Sequence, residues 1–270
     1  MIVTITTIIA VILCQLGDYS VKNLEERLAK STSAKVLSRY VDYKANAPRD
    51  IFIANTNFWA RGIDFSCVSP WNSKSGSLRG GTLISPRHIV CSAHFPLIIG
   101  TRILFVNDAD GGVCPCYLEK KKVVKGTDIM IGLLNAEVTP NIKPAKILPD
   151  NYELFLDEKG FGMPVATFNQ NEELFLTESN VIFSDNTNGR ILGSHQPSRK
   201  SFKGFRSKII VGDSANPAFL IIGNKSVLLY CLQYGGCGSG PALHLYKREI
   251  QMAMDDLCPG YRLDIYQFEK

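Results

Sequence analysis

The sequence predicts an all-β protein with amphipathic helices flanking its strands, and three observations predict it. From about Ile51 onward, short runs rich in β-branched and aromatic residues recur between turn residues, the texture of a sandwich or barrel. Ahead of them, residues 18–47 set Leu24, Leu28, Val36, Leu37, Tyr40 and Val41 among charged residues at helical spacing. After them, Lys247–Leu257 places Ile250, Ala253, Met254 and Leu257 on one helical face. The chain has 270 residues, 45% of them hydrophobic and 20% charged. That mix supports a packed core and excludes wholesale disorder. The length fits one large all-β domain or two half-size ones.

Each element has its own reason. Residues 1–17 carry no side-chain charge, and Ile8–Cys14 is continuously apolar. The stretch is too short for a stable membrane span and suits a signal peptide, so a secreted or extracytoplasmic protein is expected, with a cytoplasmic one as the alternative. Residues 18–50 read as a helical N-terminal extension or propeptide, ended by Ala47-Pro48. Gly81–Ile84, Ile89–Ser92, Arg102–Val106, Tyr117–Val124 and Ile129–Leu134 read as a first set of strands, with a turn at Asn107–Gly112. Pro140 and Pro144 mark a linker. A second set begins at Met163 and takes in Leu174–Phe183, Pro217–Ile222, Val227–Tyr234 and Ala242–Leu245.

Charge and cysteine content exclude some functions. Lys and Arg exceed Asp and Glu by 30 to 25, a net charge of +5. The excess is small and dispersed, so no nucleic-acid partner is expected. Lys120-Lys121-Lys122 reads as a solvated strand end. Cys114-Pro115-Cys116 is too tight for a zinc or redox pair, and no second Cys/His pair completes a metal site, so no metal or organic cofactor is expected.

Three segments carry chemistry, in the order His, Asp, Ser: Gly80-Gly81-Thr82-Leu83-Ile84-Ser85-Pro86 running on to Ala93-His94, then Asp128-Ile129-Met130-Ile131-Gly132-Leu133-Leu134, then Gly212-Asp213-Ser214-Ala215-Asn216-Pro217. A serine hydroxyl needs an adjacent base to act as a nucleophile near neutral pH. Imidazole can take and return that proton, and a carboxylate can fix its tautomer. The glycine-bearing turn could aim the Gly212 and Ser214 amides at one point as an oxyanion hole.

Together these segments resemble the chymotrypsin/trypsin-like serine protease family, over about residues 51–257. The resemblance implies two antiparallel six-stranded β-barrels, about 51–145 and 146–246 within a unit of 51–270, with a cleft between them and a C-terminal helix at 247–257. It implies a serine endopeptidase acting on protein or peptide substrate, with His94 as base and then acid, Asp128 orienting it and Ser214 as nucleophile. Gln233-Tyr234-Gly235 resembles the strand that pairs with substrate backbone, Cys237 and Pro241-Ala242 fit the following pocket wall, and Lys208 falls where the family places the pocket floor. An ammonium there would favour an acidic side chain before the scissile bond.

The sequence also departs from the family. Phe95 and Ile210 stand where half-cystines are usual. Cys91 replaces a small hydroxyl residue near His94, and Gln233 replaces a serine that supports the aspartate. Ala215 and Asn216 replace glycines. No Ile-Val-Gly-Gly-like start exists to pair with Asp213, so a side-chain cation such as Arg206 is expected beside it. His88 is expected at the surface, His195 in solvent or at the cleft, and His244 beside the last strand; Trp59 and Trp71 read as packing anchors. The alternatives are a catalytically weak or inactive binding protein on the same scaffold, and an esterase.

Overall fold

The computed structural model describes residues 21–30, 37–41, 43, 51–70, 80–150, 152, 162–180, 183–186 and 189–268. The expectations for residues 1–17 and for Trp71 lie outside them. The protein is mostly β, with two antiparallel barrels and a C-terminal helix.

The first barrel is built from β1 (Thr82–Ser85), β2 (His88–Ser92), β3 (Arg102–Val106), β4 (Val113–Val123) and β5 (Ile129–Leu134), in the order β1-β2-β5-β4-β3. Residues 67–69 add a sixth, short edge: Val68 bridges Thr82, the Ser69 amide donates to the Gly81 carbonyl at 3.1 Å, and the Leu83 amide donates to Cys67 at 2.8 Å. Strand β4 alternates buried and exposed until Lys120-Lys121-Lys122, where it runs out into solvent as the charge run predicts.

The second unit holds β6 (Lys146–Ile147), β7 (Met163–Phe168), β8 (Leu174–Ser179), β9 (Phe183–Asn186), β10 (Gly189–Gly193), β11 (Pro217–Ile222), β12 (Lys225–Cys231) and β13 (Ser239–Pro241). Six of them close a barrel. β12, β11, β7 and β8 pair in series, Glu178 of β8 bridges His195 just past β10, and β10 pairs β13. The last seam joins β13 to the end of β12, where the Gln233 amide donates to Ser239 at 2.8 Å. Period-two alternation then divides the side chains of the central strands. Ala166, Phe168, Phe219, Ile221 and Leu228 face a core shared with the first barrel. Val165, Ala218, Leu220, Val227 and Leu229 fill the second barrel's own interior. Burial on both faces is why these strands read as unbroken apolar runs. Phe65, just ahead of the first barrel, sets its ring edge-on against Phe168 and Phe219 at 5.2 and 5.3 Å, joining the two units.

Helix α1 (residues 21–29) buries Leu24 and Leu28, one helical turn apart, in the shared core. The helical reading of 18–47 fails at residues 37–41. There Ser38 bridges Glu173 and Tyr40 bridges Ala54, so the segment is extended. Tertiary pairing overrides local spacing, because Arg39 and Tyr40 both have buried partners on other segments. Helix α2 (Lys247–Leu257) buries Ile250, Ala253 and Met254 against β4 and β5, as its spacing predicts.

Two further expectations are corrected. The last strand is Ser239–Pro241, and Leu243–Tyr246 winds into a 3-10 turn leading into α2. His244 is buried in that turn, edge-on to the Tyr152 ring at 4.7 Å. His88 is buried in β2, its Nδ1 2.8 Å from Ser85 Oγ, because the Ser85-Pro86-Arg87 turn is tight enough to fold the strand start inward. Among the described residues no helix is long and apolar enough to cross a membrane.

Candidate active site

Strand pairing accounts for the first contact. β2 and β5 run antiparallel with Ser92 opposite Ile129, so the residues just past one strand meet those just before the other. The Ala93 amide donates to the Asp128 carbonyl at 2.9 Å, and Thr127 Oγ1 pins the turn by bonding to Val124 O at 2.8 Å. Asp128 then grips His94 twice: Oδ1 accepts the His94 backbone amide at 2.7 Å, and Oδ2 meets Nδ1 at 2.6 Å. A carboxylate oxygen accepts, so Nδ1 carries the hydrogen and Nε2 is left as an acceptor. Ser214 Oγ lies 3.0 Å from that Nε2. Asp128 is buried, with 6% of its side chain exposed, whereas His94 is 41% exposed. The carboxylate end is therefore dry and the imidazole end is open.

Ser214 is held from the second barrel. It lies in the turn ahead of β11, where the Ala215 amide donates to Leu232 O at 2.9 Å and the Leu232 amide donates to Asn216 O at 2.8 Å. Ser92 Oγ, at the end of β2, donates to the same Leu232 carbonyl at 2.9 Å. One carbonyl thus ties the strand that presents His94 to the turn that presents Ser214. Nothing in the sequence singles out Ser92 or Leu232, because the contact joins residues 140 apart.

The turn itself is wound tightly. Gly212 has φ +103°, which glycine adopts readily, and Ala215 has φ +73°, which an L residue with a Cβ rarely adopts. The Gly212 and Ser214 amides donate to no group among the described residues, while those of Asp213 and Ala215 are engaged by Ile210 O and Leu232 O. Two N–H groups of this turn are thus without an acceptor among the described residues.

Asp213 does not pair with Arg206. It is fully buried, and its carboxylate is met by two backbone amides: Gln170 N–H on Oδ1 at 2.9 Å and Ile210 N–H on Oδ2 at 2.8 Å. Arg206 instead donates to Pro197 O at 3.2 Å. Burial raises the Asp213 pKa above the ordinary carboxylate value, and the two amides only partly offset this. Two peptide donors, one from the β7–β8 hairpin and one from its own loop, stand where the cation was expected.

The remaining expected residues fall in different surroundings. Tyr234 and Gly235 are exposed, and Gln233 is half-buried, with Oε1 buried and without a hydrogen-bond partner among the described residues. The Asp128 carboxylate receives only the two His94 bonds among the described residues, so no side chain stands in for the supporting serine. Lys208 is exposed. Ala242 is fully buried and donates its amide to Arg190 O at 2.9 Å. His195 is exposed and Cys91 is buried in β2. Cys67, Cys91, Cys114, Cys116, Cys231, Cys237 and Cys258 are all free thiols. Trp59 is a packing anchor whose Nε1 donates to Leu174 O at 2.7 Å.

No protein-family model matches this chain, and no curated protein matches its sequence. Its fold does match solved structures. Human heparin binding protein superposes with a TM-score of 0.51 over 74% of this chain and 96% of that one, at 13% identity. At that identity the likeness speaks to the trypsin-like fold alone.

Proposed function

We propose that the chain is a serine endopeptidase, a divergent relative of the trypsin-like enzymes. The observation that carries this reading is the unbroken hydrogen-bonded line Asp128–His94–Ser214, with a dry carboxylate and an open imidazole. In this reading His94 Nε2 takes the Ser214 hydroxyl proton as Oγ attacks the peptide carbonyl carbon. Asp128 keeps Nδ1 protonated and steadies the imidazolium that forms. The Gly212 and Ser214 amides receive the carbonyl oxygen as it becomes an anion. Collapse of the tetrahedral intermediate breaks the C–N bond, His94 gives its proton to the leaving amine, and an acyl-Ser214 remains. Water, activated by the same imidazole, then releases the acid. The peptide would lie along Gln233–Gly235 as an added strand, where Gly235 leaves room for it. Lys208 would bias the residue before the scissile bond toward acidic side chains. The reaction needs no metal or organic cofactor. The catalytic unit would span 51–270, and an extracytoplasmic location fits the apolar segment 1–17.

Labelling with a fluorophosphonate and cleavage of a peptide library test this reading. Wild type should label and cleave, Ser214→Ala should do neither, and His94→Ala should lose at least about 10⁴-fold in rate. Labelling that persists in Ser214→Ala would remove Ser214 as the nucleophile. A library profile indifferent to acidic residues would remove Lys208 from the specificity pocket.

A binding protein on the same scaffold is the second reading. It is favoured by a cavity of about 220 Å³ whose lining includes Lys143, Lys146 and Lys225 with the single acid Asp64, a balance that suits an anionic ligand. Binding of a sulfated polysaccharide, lost in Lys143→Gln together with Lys225→Gln and accompanied by no labelling of wild type, would support it.

A further inference from the structure

The turn between β7 and β8, residues 169–173, holds the Gly212-bearing loop at both ends. At one end the Gln170 amide caps Asp213 at 2.9 Å, and the Gln170 side chain lies against Gly212, where a Cβ would meet Oε1 at 3.4 Å. At the other end Ser207 Oγ donates to Glu173 Oε2 and accepts from Asn169 Nδ2, each at 3.3 Å. The turn is itself strained, since Glu172 has φ +56° with its side chain buried. A strained turn persists only where its surroundings over-determine it.

The surroundings are residues 37–41. The Arg39 amide donates to Glu172 O at 2.9 Å, the Leu174 amide donates to Leu37 O at 2.9 Å, and Ser38 bridges Glu173. The Arg39 side chain anchors this strap in the first barrel. It is buried, and Nε and Nη2 donate to Asp108 Oδ1 at 3.0 and 2.8 Å. Nη2 also donates to Phe65 O at 2.8 Å and Nη1 to Val68 O at 3.2 Å. Nη1 lies 3.7 Å from Glu172 Oε2. Only a guanidinium offers that many donors in a fixed plane.

Resting on the endopeptidase reading, we propose that Arg39 is a positioning residue for the oxyanion-binding turn: it clamps the 169–173 turn, which fixes Asp213 and so aims the Gly212 and Ser214 amides. Arg39 touches neither the triad nor the substrate edge. Its effect therefore falls on the transition-state charge, not on peptide affinity.

The test compares the full chain with Arg39→Lys, which keeps a cation and loses the planar fork, and with Ile250→Val in α2 as a stability control. Peptide hydrolysis is measured well below each variant's melting temperature, and amide hydrogen exchange is followed over 207–214. Arg39→Lys should lower kcat by about 10- to 100-fold with KM within about twofold. It should also speed exchange in 207–214 while leaving the β2 strand unchanged. Gln170→Pro, which deletes the capping amide, should show the same kcat loss, and combining it with Arg39→Lys should add little. The clamp is refuted if folded Arg39→Lys matches the Ile250→Val control in both kcat and exchange. Absence of hydrolysis by wild type would remove the endopeptidase reading alone, because exchange over 207–214 still reads the coupling from Arg39.

Discussion

Ala215 shows how much chemistry can rest on one backbone angle. It follows the proposed nucleophile with φ +73°, a conformation that costs a residue with a Cβ about 1–2 kcal/mol relative to a right-handed one. The Ala215–Leu232 hydrogen bond holds it there. Ala215→Gly should therefore raise unfolding free energy by about 1 kcal/mol, seen as a melting temperature higher by roughly 2–4 °C. An unchanged or lower melting temperature would mean that the angle is not strained in solution. The three residues that form the hydrogen-bonded line were legible in the sequence because each sits in a short local motif: His94 after Ala93, Asp128 ahead of an apolar run, and Ser214 in a glycine-bearing turn. What holds Asp213 was not legible. A side-chain search finds Arg206, whereas the donors are peptide groups, and nothing in residue type announces a backbone amide.

Elements divide along the same line. β3, β5, β11 and α2 have the bounds their sequence patterns predict, because each is bracketed by turn residues or carries a clean apolar face. The pattern misled at 37–41, where the apolar spacing of a helix belongs to an extended strap, and at Leu243–Tyr246, where apolar residues of strand-like composition turn through a 3-10 helix. Periodicity reports which residues seek burial, and only the partners decide the backbone that delivers them. Helix α1 has such partners. Leu28 is 3% exposed in the same core cluster as Phe58, Trp59 and Phe205. Leu28→Ala should cost about 2–5 kcal/mol in a urea titration, the range for a buried leucine that leaves a cavity. A loss below about 0.5 kcal/mol would show that α1 only rests on the surface.

Across the whole molecule, two buried histidines set an acid limit to stability. Burial lowers the pKa of His88 and of His244 from 6.5 to about 4 in each case, with nearby Arg87 and Lys247 pushing the same way. Folding therefore favours neutral imidazole at both positions. Their stabilising contribution is complete above pH 6.5 and is lost progressively as pH falls toward about 4, because the unfolded chain binds protons first. Each site contributes on the order of 3 kcal/mol over that descent. Urea titrations at pH 7.5 and 4.5 should show a smaller difference for His88→Gln with His244→Gln than for wild type, and equal differences would mean that both rings protonate in place. At this scale the two-barrel plan was legible only through resemblance to known sequences. The central strands of the second barrel are buried on both faces, so the alternation that would reveal a barrel wall is absent from them. The strap at 37–41 also gives the molecule a history in time. It leaves the ribosome ahead of both barrels, yet Leu37 pairs with Leu174, which is made more than a hundred residues later. At ordinary elongation rates the strap waits roughly seven to thirty seconds for its partner. The strap can dock only once the β7–β8 turn has been made, whereas every strand of the first barrel, the last ending at Leu134, is already in the chain by then.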